Sequence, residues 1–547
     1  MREYVVTLKN YEDLEQFYSD MESENQNFYI PNRTVDVTER RPLSRNTHYN
    51  LTDEEVIQLQ LDPRVESVEL SDAETGAIIT PMAYLTTQES NFWSKNPAIS
   101  STDLNWGLLR CYEGSQRPNW GTGTGGINYV YGRIDLTNIG RNVDVVIVDG
   151  ILDPKHPEFA LNPDGTGGTR VIRYNWYQHN LAVKGTAASV YPYDTILNDP
   201  TQIGFNDHGY HVAGTAVGNT LGWARGANIY NIYAYLPADS NFHIDYIREF
   251  HKSKAVNPIT GVKNPTIINM SYTATNSATI SGITAIQFRN NIINRPVGGW
   301  TLAQRNQYGL NPLNANNPTA TSLTIYTRSA ARDADLNDAM NLGIICLGAA
   351  GNEGLYIDVP NGPDYDNAYV FNNIAYFYHR GPSQGGAPRV ICVGAVDVSS
   401  VERKASYSNT GPRIDVFSPG TQIMSSYKSR VVPDPRNSVY NLNKSSGTSM
   451  ATPQVCGILA CVLEIFPHLN QEQAMAYVKK YATKNNLTDY SPTNFSNYFY
   501  LNNANNYFAK FRLERELSNI VHPKTNFYQF EATQDRIYPR PRIRRYG

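Results

Sequence analysis

Four residues stand where acyl-transfer chemistry would need them. Ser449 lies in the turn Gly447-Thr448-Ser449-Met450-Ala451-Thr452-Pro453, which runs into an apolar segment, 455–463, that reads as a buried helix. A hydroxyl at a helix N-terminus sits among unpaired N–H groups and the positive end of the dipole, both of which stabilise an anion. Pro453 is no obstacle, because a first-turn proline removes an N–H that has no intrahelical partner anyway. Alone, such a serine is more often a helix cap. Asp149 stops the apolar run 143–148, where an acid would point into a crevice. His208 follows Asp207 at the mouth of a helix expected over 211–218, as a base or a helix-start hydrogen bonder. Asn352, in Gly348-Ala349-Ala350-Gly351-Asn352-Glu353-Gly354, could donate its side-chain N–H to an oxyanion.

The elements that would position these residues read as an open, mostly parallel α/β sheet with helices on both faces. Nearly continuous apolar runs at 143–148, 228–235, 266–270, 343–347 and 390–393 fit strands buried on both sides. Helical stretches separate them, and an active site in such a sheet lies at the carboxyl ends of the strands. Three polar segments, 160–205, 274–330 and 355–388, show no long periodicity and read as elaborated loops.

In the order Asp, His, Asn, Ser these residues resemble the subtilisin-like serine proteases over about residues 105–480. Val146-Ile147-Val148-Asp149, followed by His156-Pro157-Glu158-Phe159, is similar to the family's aspartate motif. His208-Gly209-Tyr210-His211-Val212-Ala213-Gly214-Thr215 resembles its histidine motif, and Gly447 to Pro453 its serine motif, residue for residue. The resemblance implies a serine endopeptidase with Asp149, His208 and Ser449 as catalytic residues and Asn352 in the oxyanion hole. Ser271, Tyr272, Thr273, Gly348, Ala349 and Ala350 would line the substrate site. Three positions depart from the pattern: Gly150 stands where Thr or Ser is usual, Tyr210 replaces a threonine, and Tyr272-Thr273-Ala274 replaces a small, glycine-containing continuation. The last should reshape the first specificity pocket while leaving backbone pairing intact. His211 is read as a packing residue. No cofactor is required; structural calcium, common in the family, could use Asp358, Asp364 and Asp366.

The chain's start reads as a separate small unit, 1–81, of ferredoxin-like α+β type. A strand over 4–8 and a helix over 11–21 precede a capping-box signature, Thr52-Asp53-Glu54-Glu55, and a strand over 65–70. By resemblance it is a propeptide that assists folding and then inhibits the site from within. A linker (82–104), the catalytic domain (105–504) and an extension with a basic tail (505–547) would follow.

Composition bounds the rest. With 41% hydrophobic residues and 18% charged, the 547-residue chain is globular. A net charge of −3 argues against a nucleic-acid binder, and no apolar run is long enough for a membrane span. Five cysteines in apolar surroundings read as reduced thiols, and a start lacking a signal-peptide core points to the cytoplasm. The expected partner is a polypeptide substrate. The rival reading is a subtilisin-fold assembly protein, such as a viral particle component, with latent or lost activity.

Overall fold

A computed structural model of the chain describes residues 1–22, 35–81, 106–112, 138–236, 241–310, 321–397, 402–429, 432–488, 501 and 504–511. The expected linker and the basic tail lie outside the described residues.

Six elements build the first unit: β1 (Arg2–Leu8), α1 (Leu14–Glu22), β2 (Asp36–Arg40), β3 (Asn46–Leu51), α2 (Asp53–Gln60) and β4 (Val65–Leu70). The strands pair antiparallel in the order β2-β3-β1-β4, which is the ferredoxin-like β-α-β-β-α-β arrangement. β2 and β3 escaped the sequence reading, because Asp36–Arg40 and Asn46–Leu51 are mostly polar. The capping box forms as read: the Thr52 side chain accepts from Glu55 N–H, and Glu55 Oε2 accepts from Thr52 N–H. Val6, Leu8, Phe17, Met21, Tyr49, Leu51 and Leu59 close a core of the unit's own. Beyond β4 the chain leaves as β5 (Ile78–Pro81), which pairs with the second unit.

The second unit is organised by β6 (Asp144–Asp149), in which every residue is buried. Along it, Val145 and Ile147 join one core, and Val146 and Val148 join the other. This two-sided burial explains the unbroken apolar run. The next elements are α3 (Ile203–Val217), β7 (Asn228–Tyr233), α4 (His243–Ser253), β8 (Thr266–Met270), β9 (Tyr272–Thr279) and β10 (Ser322–Tyr326). α5 (Ala330–Asn341), β11 (Ile345–Ala349), β12 (Ile391–Val396), β13 (Val416–Pro419) and α6 (Thr448–Leu463) follow. The main sheet runs Val171–Ile172, β7, β6, β8, β11, β12, β13, Tyr507–Phe508 and Thr483–Lys484. Its pairs are parallel except the last. The chain goes from β6 first to β7 on one side and then to β8 on the other. β6 therefore stands at the point where the strand order reverses, and there such sheets open a crevice at their carboxyl ends.

Two elements differ from the sequence reading in ways that matter. α3 begins at Ile203, so His208 lies inside the helix and not at its mouth. Gly204 and Asn206 disguise this start, but Asn206 Oδ1 accepts from Ile151 N–H at 2.9 Å and ties the early turns to the end of β6. β11 ends at Ala349, so Gly348 and Ala349 belong to a strand.

The segments 274–330 and 355–388 are also not merely loops. Together they form an antiparallel sheet ordered Asn291–Asn294, Ile283–Phe288, Ala368–Phe371, Ile374–Phe377. Its hairpins turn through Arg289-Asn290 and Asn372-Asn373, all four at positive φ. Two left-handed residues in succession make the type I′ turn that suits twisted hairpins. Ile286, Trp300, Tyr369 and Tyr378 give this sheet its own core.

Candidate active site

Asp149 closes β6, and His208 projects from α3 toward it. His208 Nδ1 stands 2.8 Å from Asp149 Oδ1, and both side chains are buried. Two glycines allow this approach. A Cβ on Gly150 would lie 2.0 Å from Phe205 O, and a Cβ on Gly209 2.5 Å from Gly150 O. The strand end and the helix are thus in backbone contact, which accounts for glycine at 150 where the pattern has Thr or Ser. Asp149 Oδ1 also accepts from Gly150 N–H at 2.8 Å and from the Tyr235 hydroxyl at 3.2 Å. With Nδ1–H committed to the carboxylate, His208 Nε2 carries the lone pair, and it is buried without a hydrogen-bond partner among the described residues.

Ser449 occupies the first turn of α6, after Gly447 at φ +155°. Gly457 lets α6 lie against α3: a Cβ there would stand 2.6 Å from Ala216 O. The Ser449 hydroxyl donates to Ser271 O at 3.0 Å, and Ser271 Oγ donates back to Ser449 O at 3.1 Å. Asn269 Nδ2 holds the Ser271 hydroxyl in turn, at 2.9 Å. Asn352 Oδ1 accepts from Thr448 N–H at 2.8 Å and from Thr448 Oγ1 at 2.9 Å. Pinning the oxygen turns the amide's N–H face away from Thr448. The backbone of Asn352 is held as well, its N–H donating to the Tyr326 hydroxyl and to Glu353 Oε2, both at 2.8 Å. Burial pushes the Glu353 carboxyl up to about 8, so it is neutral at pH 7 where it meets the Asn352 backbone N–H.

Three residues here gave no sequence signal of their own: Thr448, Tyr326 and Tyr235. Thr448 was legible only as a neighbour of Ser449. Tyr326 ends β10 and Tyr235 lies two residues past β7, strands whose register no local pattern shows. His211 is a packing residue as read: its Nε2–H donates to Ile423 O at 2.7 Å, and burial lowers its pKa to about 3. Tyr210 fills space beyond the base, its hydroxyl accepting from Asp153 N–H at 2.8 Å.

β9 begins with the residues read as substrate-binding. Tyr272, Thr273, Ala274 and Thr275 pair antiparallel with Pro81, Thr80, Ile79 and Ile78 of β5, while β10 covers the strand's far part from Thr275 to Thr279. Gly348 and Ala349 are backed by Gly385, whose Cβ would lie 2.2 Å from Ala349 O, and Ala350 N–H donates to Val393 O.

The first unit docks around this pairing through charges. Arg41 is buried between Asp245 of α4 (2.9 Å) and Asp335 of α5 (2.6 Å). Burial pulls its pKa down, but the two carboxylates more than offset this and keep it charged. Ser44 Oγ donates to Asp335, Arg45 pairs with Asp338, and Asp72 pairs with Arg332. Glu69 Oε2 accepts from Ala330 N–H at 2.8 Å, capping α5 from outside.

Among the described residues no group of three His, Cys, Asp or Glu side chains could hold a metal ion. Asp364 pairs with Arg289 and Asp366 with Arg380, while Asp358 accepts from Asp364 N–H. All five cysteines are buried and free. No described helix is long and apolar enough to cross a membrane.

The family model described as "Subtilase family" matches residues 140–499. An "Extracellular serine proteinase" of Thermus sp. (strain Rt41A) is 25% identical over 454 residues, 82% of this chain and 74% of that protein. "Subtilisin DY" of Bacillus licheniformis is 29% identical over 287 residues, 52% of this chain and 72% of that protein. "Alkaline serine exoprotease A" of Vibrio alginolyticus is 23% identical over 445 residues, and this chain spans only 55% of its length. Among solved structures, fervidolysin from Fervidobacterium pennivorans, "a keratinolytic enzyme related to subtilisin", aligns with a TM-score of 0.48 at 16% identity. That alignment covers 93% of this chain and 60% of that one. With its family model covering well over half of the sequence, the chain belongs to the subtilase family.

Proposed function

We propose that this chain is a serine endopeptidase whose site is held shut by its own first unit. The observation that carries the reading is the Asp149–His208 pair at 2.8 Å, with a buried, unpartnered Nε2 on the side away from the acid. In this reading the Ser449 hydroxyl leaves Ser271 O and donates to that nitrogen. His208 then takes the proton as Oγ attacks a peptide carbonyl, and Asp149 holds the tautomer and stabilises the imidazolium. The oxyanion would be held by Asn352 Nδ2 and the Ser449 backbone N–H. His208 returns the proton to the leaving amine, and water releases the acyl group by the same route in reverse. The polypeptide would lie along Ser271, Tyr272 and Thr273 as an added strand, between that wall and Gly348-Ala349-Ala350.

The pairing of β5 with β9 supports an intramolecular inhibitor, since β5 takes the backbone positions a substrate would use. We assign residues 1–81 to this inhibitor and 82–104 to a linker that is cut on maturation. The catalytic domain is 105–504 with the edge strand Tyr507–Phe508, and a basic extension follows. No cofactor takes part in the reaction; calcium, if bound, would be structural.

A fluorophosphonate probe tests the reading. Ser449 should be the labelled residue, and Ser449→Ala and His208→Ala should each nearly abolish peptide turnover, because the three residues act as a unit. Mass spectrometry should find cleavage within 82–104. An intact chain that never labels would favour the assembly role instead.

A further inference from the structure

We propose that Tyr235 is a positioning residue for the acid–base pair: its hydroxyl donates to Asp149 Oδ1 and fixes the carboxylate that orients His208. The proposal rests on the peptidase reading for its kinetic consequence, but its geometry stands alone. Tyr233, the last residue of β7, is in register with Asp149, and Ala234 N–H donates to Asp149 O at 3.0 Å. The chain therefore leaves β7 tied to the acid's own backbone. Two residues past the register partner, the Tyr235 hydroxyl reaches Oδ1 at 3.2 Å.

Donors to the carboxylate are scarce. Oδ1 takes Gly150 N–H, His208 Nδ1–H and the Tyr235 hydroxyl, whereas Oδ2 is buried with no partner among the described residues. Residue 150 cannot supply a side-chain hydroxyl, because any Cβ there would lie 2.0 Å from the Phe205 carbonyl oxygen. The phenol thus does from the neighbouring strand what the adjacent residue is sterically barred from doing.

The ring is placed for this. It packs on Phe205 with centroids 4.4 Å apart and meets Tyr233 and Tyr272 edge-on at 5.4 and 6.4 Å. Phe205 belongs to the helix that carries His208, and Tyr272 to the strand read as binding substrate. One ring therefore touches the elements that bear the base, the acid's neighbour and the substrate wall. Asp149, Tyr233 and Tyr272 are titratable groups that face it, and Asp149 and His211 face His208. Burial, reinforced by the charge of Asp149, raises the Tyr235 phenol well above its ordinary value, so it remains a donor across the working pH range.

Tyr235→Phe removes the donor and keeps the ring. In the full chain carrying isotope-labelled histidine, NMR titration should show the His208 midpoint rising by about half a pH unit, because a carboxylate that loses a donor holds the imidazolium more tightly. The plateau of kcat/KM should fall about 3–10-fold through kcat, with its acid limb displaced in the same direction. The unfolding midpoint should match the wild type. An unmoved His208 midpoint in a normally folded variant would overturn the proposal, and so would a loss carried wholly by KM, which would make Tyr235 a substrate contact. The NMR reading needs no turnover, so it separates failure of this proposal from failure of the peptidase reading, which Ser449 labelling decides.

Discussion

The joint between acid and base and the joint between the two units are built from opposite materials. Asp149 and His208 are brought together by backbone against backbone, at Gly150, Phe205 and Gly209. The first unit is attached through charges: Arg41 in a socket of Asp245 and Asp335, Glu69 at the head of α5, Asp72 on Arg332. Close packing has no alternative state of similar energy, so it suits a geometry that must not move. A buried ion pair has large attraction and large desolvation in near balance, so its parts can separate and return to water. On the proposed reading, the site is made permanently and its cover is made to leave.

Four changes would break or sharpen that contrast. Gly150→Ala should do most, since the added methyl meets a backbone carbonyl that cannot step aside. We expect about 3 kcal/mol lost in urea unfolding. Turnover should drop about 100-fold as α3 is pushed off Asp149. Arg41→Ala should leave the catalytic unit sound but remove the cation that Asp245 and Asp335 share, with Arg248 left on Asp245 alone. Breaking such a pair costs about 3–5 kcal/mol, so probe labelling of Ser449 should quicken by about 100-fold or more. If it does not, the charges are not what holds the cover.

Glu353 gives a smaller, pH-dependent effect. Its pKa is raised to about 8 by burial, so it is neutral below that pH and ionises above it, on the backbone N–H of Asn352, whose side chain is assigned to the oxyanion. In sign terms, the neutral form is favoured by the fold, and the benefit is lost as pH rises from the ordinary carboxyl range through about 8. Activity should decline on that alkaline limb about 2–5-fold, and Glu353→Gln should flatten it. A limb that persists in the variant would move its origin elsewhere. At the bottom of the scale, Asp53→Asn removes the partner of Arg2 on an open surface, where Asp53 is 71% exposed. Neither melting temperature nor labelling rate should change measurably.

What the sequence revealed and what it hid divide along the same physical line. Asp149, His208, Asn352 and Ser449 stood out as candidates because each sits in a short local pattern, and β6 was legible because burial on both faces leaves an unbroken apolar run. The capping box at Thr52 was legible for the same local reason. The start of α3 was hidden, since Gly204 and Asn206 have weak helix propensity and only the bond from Ile151 N–H to Asn206 reveals why they comply. β5 was hidden because Ile78–Pro81 is four residues long and ends in proline; its strand character comes from β9. The sheet made by 274–330 and 355–388 joins hairpins about eighty residues apart, turned by Arg-Asn and Asn-Asn in place of the more readable Asn-Gly. Tyr235 looked like one more strand aromatic until the register with β6 placed it beside Asp149.

The central claim is a competent nucleophile behind a removable cover. Following fluorophosphonate labelling by peptide mass spectrometry, in the full chain and in Arg41→Ala, tests it most directly. The account predicts label on Ser449, absent from His208→Ala, slow in the full chain and fast once Arg41 is gone. Label that spares Ser449, or that forms on Ser449 equally well without His208, would contradict it.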